Sequence, residues 1–87
     1  MTFTLNYEKR FFKDLDKISN SDVERIVSAV KDLAHDPMPK GYKKLKIGWN
    51  VYRIRQGDYR IVYEIDHVNK QIRILGTRHR KDVYKNI

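Results

Sequence analysis

The sequence lacks cysteine, and its 87 residues include only two prolines and four glycines. The absence of cysteine excludes a disulfide framework, a thiol nucleophile and a zinc site with cysteine ligands. No segment approaches the roughly 20 apolar residues of a membrane span, and residues 1–12 lack the apolar stretch of a secretory signal. We therefore expect a cytoplasmic protein with no membrane partner. The length fits a single domain covering residues 1–87.

Acidic side chains are scarce in the second half of the chain. The 19 lysines and arginines exceed the 11 aspartates and glutamates, which gives a net charge of +8. Residues 1–39 hold six basic and seven acidic side chains, whereas residues 40–87 hold thirteen basic and four acidic. Such one-sided excess indicates a surface built for a polyanion. We favour a nucleic acid or the ribosome as partner, with an acidic protein or plain solubility as the alternative.

The first half has the pattern of one strand and two helices. Residues 3–5 alternate apolar and polar side chains, and apolar residues between positions 11 and 18 recur at i, i+4 and i+7. Residues 21–24 have the sequence Ser-Asp-Val-Glu, which is typical of a capping box and predicts the start of a second helix. That helix should end near residues 35–36, because the residue before Pro37 disfavours helical angles. We expect an antiparallel helix hairpin whose apolar stripes lie in the core.

The second half changes to the alternation of strands. Residues 37–46 contain two prolines, a glycine and four lysines, which predicts a loop with a positive rim. Beyond it, the pattern predicts a three-stranded antiparallel meander at residues 51–55, 59–65 and 72–75. With the opening strand and the helix pair, the prediction is an α+β fold containing one sheet. The helices should cover one face of that sheet and leave the other open to a ligand.

Alternation along the strands places three arginines on the open face. Tyr52 and Ile54 point to the core, so Arg53 and Arg55 point outward with roughly 7 Å between them. By the same rule, Arg60 lies on the outward face of the next strand. Glu64 is the one acidic residue interleaved with these arginines, and we favour a functional role for them over mere solubility.

Three segments carry a resemblance to a known family: Arg53–Arg55 (RIR), Gly57–Tyr63 (GDYRIVY) and Gly76–Tyr84 (GTRHRKDVY). In these segments, and in the order of its elements, the chain resembles the RelE/ParE toxin superfamily, specifically its RelE-like ribonuclease branch. The resemblance implies a type II toxin that cleaves mRNA in the ribosomal A site, inhibits translation, needs no metal or other cofactor, and has a cognate antitoxin as partner. The functional set that it implies is Arg53, Arg55, Arg60, Arg78 and Tyr84.

The chemistry of cleavage suggests a role for each of these residues. RNA cleavage without metal requires a deprotonated 2′-hydroxyl, a stabilised phosphorus centre and a protonated leaving oxygen. Arginine stays protonated and matches phosphate oxygens, so Arg53, Arg55 and Arg60 are interpreted as anchors. Arg78 is a candidate for the leaving oxygen, but it shares the even register of the core residues before it. We expect a bulge or strand end at Gly76 to turn Arg78 outward.

Two residues are candidates for the general base, Tyr84 and His79. A free tyrosine, whose pKa is about 10, is ionised to about one part in a thousand at neutral pH, and neighbouring arginines would increase that fraction. His79 needs no such shift, but it alternates with Arg78 and Arg80 along the strand. We choose Tyr84, which the resemblance favours, and keep His79 as a backup or a substrate contact.

Further contacts to RNA or the ribosome are expected at Lys40, Lys43, Lys44, Lys46, Arg73, Arg80 and Lys81. Trp49, at a loop-to-strand junction, is interpreted as a hydrophobic plug, with a base-stacking platform as the weaker alternative. The alternative for the whole protein is a non-catalytic binder of the same fold, such as a ParE-type gyrase inhibitor or a basic RNA-binding or ribosome-binding module.

Overall fold

A computed structural model describes residues 2–81 of the chain. Its elements are β1 (Thr4–Tyr7), α1 (Lys9–Leu15), α2 (Asn20–Leu33), β2 (Lys43–Lys44), β3 (Val51–Gln56), β4 (Tyr59–Asp66) and β5 (Gln71–His79). The α+β class, the helix pair and the predicted meander of β3, β4 and β5 are confirmed. Neither described helix has the length and apolar character needed to cross a membrane.

The five strands form one sheet in the order β1-β5-β4-β3-β2. β1 runs parallel to β5, whereas the other neighbouring strands are antiparallel. The prediction of a loop throughout residues 37–46 is wrong at β2, where Lys43 and Lys44 pair with Arg53 and Tyr52. This strand has only two residues and no apolar alternation, so the sequence carried no signal for it. Lysines on such a short edge strand hinder pairing with other chains.

The start of α2 differs from the prediction. Ser19, not Ser21, is the N-cap residue, with extended backbone angles, and the helix begins at Asn20. The Ser19 hydroxyl donates a hydrogen bond to the carboxylate of Asp22 at 3.1 Å. Both serines have an acidic residue three positions later, so the sequence pattern alone did not distinguish them.

The core lies between the helices and one face of the sheet. The side chains buried most completely there are Phe11, Ile26, Val30 and Leu33 from the helices and Ile61, Tyr63, Ile65, Ile72 and Ile74 from the strands. The Tyr63 hydroxyl donates a hydrogen bond of 2.7 Å to the carbonyl oxygen of Pro37, which ties β4 to the segment after α2. Burial raises the pKa of Tyr63 well above its usual range, so this hydroxyl stays protonated.

Candidate functional site

Three arginines form a row across the sheet. Arg55 of β3 is the Cα partner of Arg60 of β4, and Arg60 is in turn the partner of Arg78 of β5. Residues directly opposite each other on antiparallel strands share a face, and like charges in that position are destabilising. The row therefore favours the binding of an anion at this end of the sheet, or the presence of an acidic side chain that neutralises its charge.

A bulge in β5 brings Arg78 into this row. Val62 pairs with Gly76 and Tyr63 pairs with Ile74, so Leu75 is an extra residue without a partner on β4. The extra residue reverses the alternation of β5 and shifts Arg78 away from the core register of Ile74. Of the two expectations at Gly76, a bulge or a strand end, the structure shows a bulge, with Leu75 directly before Gly76 as the extra residue.

The guanidinium of Arg78 nevertheless turns toward the edge of the sheet. Its Nη1 lies 3.3 Å from Oδ2 of Asp14, a residue of α1. The same oxygen accepts a hydrogen bond of 2.9 Å from the backbone N–H of Thr77. β1 ends at Tyr7, opposite Ile74, and the next part of the β5 edge is therefore accessible to α1.

Gly76 makes this close approach possible. A Cβ atom at position 76 would lie 2.9 Å from Oδ2 of Asp14 and 3.2 Å from Nη1 of Arg78. Both distances are shorter than ordinary van der Waals contacts, so a side chain at position 76 would force the carboxylate or the guanidinium to shift. Gly76 thus leaves room for the ion pair beside the strand.

A cationic cleft lies over the Arg55–Arg60 pair. Its volume is about 430 Å³, and its described lining consists of Arg55, Arg60, Arg80 and Lys81. Arg60 is only 9% exposed, and its Nη1 donates to the carbonyl oxygen of Tyr59 at 3.1 Å. Arg80 is positioned by its backbone N–H, which donates to the carbonyl oxygen of Asp58 at 2.7 Å. We call this cavity the arginine cleft.

A second basic cavity adjoins the arginine cleft. It has a volume of about 510 Å³, and its lining includes Lys40, Lys43, Arg53 and Arg55 together with Asp32 of α2. Arg55 borders both cavities, which places them side by side. Asp32 is the one acidic side chain that the described residues contribute to either lining. The joint surface therefore suits a polyanion longer than a single phosphate.

Other predicted site residues lie elsewhere. His79 faces Tyr59 with the two rings 5.4 Å apart, in an edge-on arrangement. Together with Arg78 and Asp14 it lines a cavity of about 340 Å³ on the helix side. Its Nδ1 accepts a hydrogen bond from the backbone of Lys81 at 3.2 Å. The structure therefore brings neither His79 nor the Arg78 guanidinium into the arginine cleft.

The remaining predicted residues are dispersed. Arg73 is paired with Glu8 of the β1–α1 connection at 3.4 Å. Lys44 and Lys46 are exposed and line none of the described cavities. Tyr84 lies outside the described residues. Among residues 2–81, no group of three or more His, Cys, Asp or Glu side chains is arranged to hold a metal ion.

Sequence reasoning missed two residues of interest. Asp14 was not predicted, although its position three residues after Phe11 places a charge on the apolar face of α1, which is a usable signal. Trp49 is 82% exposed, so its interpretation as a hydrophobic plug is wrong. Exposure of a tryptophan in a loop depends on tertiary packing and carries no sequence pattern.

Comparison with known proteins agrees with this architecture. The family model of the ParE toxin of type II toxin–antitoxin systems, parDE, matches residues 5–84. A Methanocaldococcus jannaschii protein that carries the name toxin RelE1 is 32% identical over 89 residues, which cover 99% of each chain. Toxin RelG of Mycobacterium tuberculosis is 28% identical over 86 residues, covering 98% of this chain and 99% of the relative.

Solved structures of toxin–antitoxin complexes contain chains with the same fold. The archaeal RelE–RelB complex from Pyrococcus horikoshii contains a chain that matches with a TM-score of 0.81 and 28% identity, covering 92% of this chain and 97% of that one. The M. tuberculosis toxin–antitoxin complex RelBE2 matches with a TM-score of 0.78 and 26% identity, covering 91% and 99%. The chain therefore belongs to the ParE toxin family of type II toxin–antitoxin systems, within the RelE/ParE superfamily.

Proposed function

We propose that this toxin is an endoribonuclease that cleaves mRNA on the ribosome, without a metal ion, and thereby inhibits translation in the cytoplasm. The observation that carries the proposal is the direct pairing of Arg55 with Arg60 beneath the arginine cleft. Two arginines that line one cleft from paired positions provide the positive charge that a crowded, anionic phosphorus centre needs in the transition state.

The setting of Arg60 supports a role in the transition state. Its hydrogen bond to the carbonyl oxygen of Tyr59 holds the guanidinium in place before any RNA binds. Charge that is already oriented does not have to reorganise during the reaction, and this pre-organisation is the main source of electrostatic catalysis. Arg55, which is more exposed, and Arg53 beside it are suited to gripping the phosphates on either side of the cleaved bond.

Tyr84 is proposed as the general base. It lies three residues after Lys81, whose side chain lines the arginine cleft. Three residues span at most roughly 11 Å, so a tyrosine at position 84 can reach the cleft. The cations there would stabilise phenolate and favour proton removal from a 2′-hydroxyl. Arg78 is proposed to act on the leaving oxygen only if it leaves Asp14, since the ion pair holds it at the sheet edge.

We also propose a cognate antitoxin as partner. Similar chains have been solved as RelE–RelB and RelBE2 complexes. Acidic side chains laid across the arginine cleft and the adjoining basic cavity would neutralise this surface by charge complementarity. Association of such a partner should slow as the salt concentration rises.

The test of the nuclease proposal uses purified protein and translating ribosomes in the presence of EDTA. We expect mRNA to be cut in the A site, leaving 2′,3′-cyclic phosphate or 3′-phosphate ends. A RelE-type enzyme of known activity, assayed in parallel, shows that the ribosomes are competent. Intact mRNA alongside cleavage by that control would refute the proposal.

The second candidate is a non-catalytic inhibitor of DNA gyrase, and the description of the matching family model as a ParE toxin favours it. A gyrase inhibitor should block supercoiling of relaxed plasmid DNA and should leave mRNA on ribosomes intact. Running both assays on the same preparation separates the two candidates, because each predicts activity in one assay and none in the other.

A further inference from the structure

A further cavity, separate from those described above, lies on the outward face of the sheet at the end away from the arginine cleft. It has a volume of about 220 Å³, and its lining includes Trp49, which is 82% exposed. The other lining residues are polar: Asn6, Asn50, Glu64, Asp66, Gln71 and Arg73. We call this cavity the Trp49 cleft. An exposed indole surrounded by amides and carboxylates is unusual for a surface that only needs to be soluble.

The Trp49 cleft and the arginine cleft share one face of the sheet. Glu64 is the Cα partner of Arg73, and Arg73 is the partner of Asn6, so these three side chains form a row across β4, β5 and β1. Arg60 and Glu64 are four residues apart on β4 and lie on the same face, roughly 13 Å from each other. Between them lie Val62, which is buried, and Gly76, which has no side chain. The two clefts are therefore close enough on one face for a single strand of RNA to occupy both.

The polar groups of the Trp49 cleft differ in their availability. The carboxylate of Asp66 already accepts three hydrogen bonds from Val68 and Asn69, and these bonds lower its pKa. Arg73 is paired with Glu8, and the Asn50 amide donates to the carbonyl oxygen of Ile65. Within residues 2–81, the Glu64 carboxylate has no hydrogen bond or ion pair, and it faces the cleft as an unused acceptor.

The chemistry of the cleft selects one kind of ligand. The carboxylates of Glu64 and Asp66 would repel a phosphate, so the cleft does not suit an RNA backbone. A nucleobase suits it, because its face can stack on an indole and its edge can hydrogen-bond to a carboxylate or an amide. A protein anchor would instead favour an apolar pocket that excludes water.

We propose that the Trp49 cleft binds one unpaired base of the RNA whose backbone occupies the arginine cleft. The base stacks on Trp49, and its exocyclic amino group donates a hydrogen bond to the carboxylate of Glu64. The cleft therefore prefers an amino-bearing base such as cytosine over uracil, whose corresponding oxygen cannot donate. This inference rests on the proposed function, and it adds a source of base preference a few nucleotides from the cleaved bond.

Trp49 is the sole tryptophan of the chain, so intrinsic fluorescence reports directly on this cleft. The probe is a short 2′-O-methyl oligocytidine, which cannot be cleaved because its 2′-oxygen is blocked. We expect it to quench the tryptophan fluorescence on binding. Its dissociation constant is measured separately by the anisotropy of a fluorescein label, which also serves for variants without tryptophan. Oligouridine of the same length should bind more weakly.

Three variants of the cleft and one control variant test the contacts. Trp49→Leu should weaken oligocytidine binding roughly tenfold, as expected for loss of one stacked base, whereas Trp49→Phe should retain most of the affinity. Phe12→Leu is the matched control, because it removes another exposed aromatic ring, 53% exposed on α1, and should change nothing. Glu64→Gln keeps the size of the side chain and removes its charge, and it should reduce the preference for oligocytidine over oligouridine.

The outcomes distinguish failure of this inference from failure of the proposed function. If Arg55→Ala and Arg60→Ala weaken binding but Trp49→Leu does not, RNA binds the arginines and the Trp49 cleft is no base site. Loss of antitoxin affinity in Trp49→Leu, with RNA affinity intact, would assign the cleft to protein and overturn the inference. Absence of all oligonucleotide binding at low salt would also overturn it. If the fluorescence is quenched and Trp49→Leu weakens binding, but ribosomal mRNA stays intact, the base site stands and the nuclease proposal fails.

Discussion

Asp14 and Arg78 form an ion pair at 3.3 Å although they are 64 positions apart in the sequence. Their side chains are only 18% and 17% exposed, respectively, so solvent screens this pair much less than a surface pair. Because Oδ2 of Asp14 also accepts from the backbone of Thr77, a single carboxylate anchors α1 to β5 through both the main chain and a side chain. Arg78, a candidate functional residue, therefore also contributes to the stability of the fold.

The coupling between Asp14 and Arg78 can be measured directly. In a double-mutant cycle with Asp14→Asn and Arg78→Gln, followed by urea unfolding, we expect a coupling free energy of about 1–2 kcal/mol. Asparagine can still accept the hydrogen bond from Thr77, so the cycle isolates the charged contact. Additive effects of the two substitutions would show that the pair makes no net contribution.

Gly76→Ala should destabilise the protein by about 1–3 kcal/mol, because the added methyl group overlaps the carboxylate of Asp14. Thermal unfolding of the variant measures the loss. The same substitution in an Asp14→Ala background should cost less, since the atom that it meets most closely is gone. An equal cost in both backgrounds would mean that contact with the Asp14 carboxylate does not determine the loss of stability.

Removing the charge at Arg60 or the hydroxyl at Tyr84 should slow cleavage of ribosome-bound mRNA. We expect at least a roughly hundredfold loss for Arg60→Ala and for Tyr84→Phe, which is typical of charge-stabilising and proton-transferring groups. Ribosome affinity should be nearly unchanged in Tyr84→Phe. Arg25→Ala, which removes an exposed arginine of α2, is the matched control and should cleave normally.

Cleavage by Tyr84→Phe at the wild-type rate would eliminate Tyr84 as the base. His79→Gln would then be the next variant to assay. The position of His79 beside Tyr59, on the helix side of the sheet, argues that this histidine would have to move before it could act in the arginine cleft.

Tyr63→Phe should lower the free energy of unfolding by about 1 kcal/mol, because the carbonyl oxygen of Pro37 loses its hydrogen-bond donor. Burial raises the pKa of Tyr63 in the folded state. Its contribution is therefore complete below about pH 10, the pKa of an unfolded tyrosine, and is lost as the pH rises further, when the unfolded chain gives up the proton. Urea unfolding between pH 8 and pH 11 should show a shallower decline for the variant than for the wild type. Parallel curves would contradict this assignment.

The sequence predicts what depends on local periodicity. Alternation along β3 and β4 correctly placed Arg55 and Arg60 on the same face of the sheet, and the parity conflict at Arg78 indicated the irregularity of β5 that the structure shows as a bulge at Leu75, directly before Gly76. Contacts between distant segments could not be predicted from the sequence in the same way. The turn of Arg78 toward Asp14 depends on where α1 packs against β5, and the exposure of Trp49 depends on how its loop leaves the sheet. Neither arrangement has a repeating pattern along the chain.

The parallel pairing of β1 with β5 also sets an order for biosynthesis. β1 is synthesised before the other described strands, yet its partner in the sheet is the last of them. A nascent chain that has not released β5 leaves β1 without its neighbour and β4 without one of its two partners, and it lacks Arg78 and everything after it. The toxin consequently cannot assemble its arginine row on the ribosome that is making it until β5 has been synthesised, after all the other strands of the sheet.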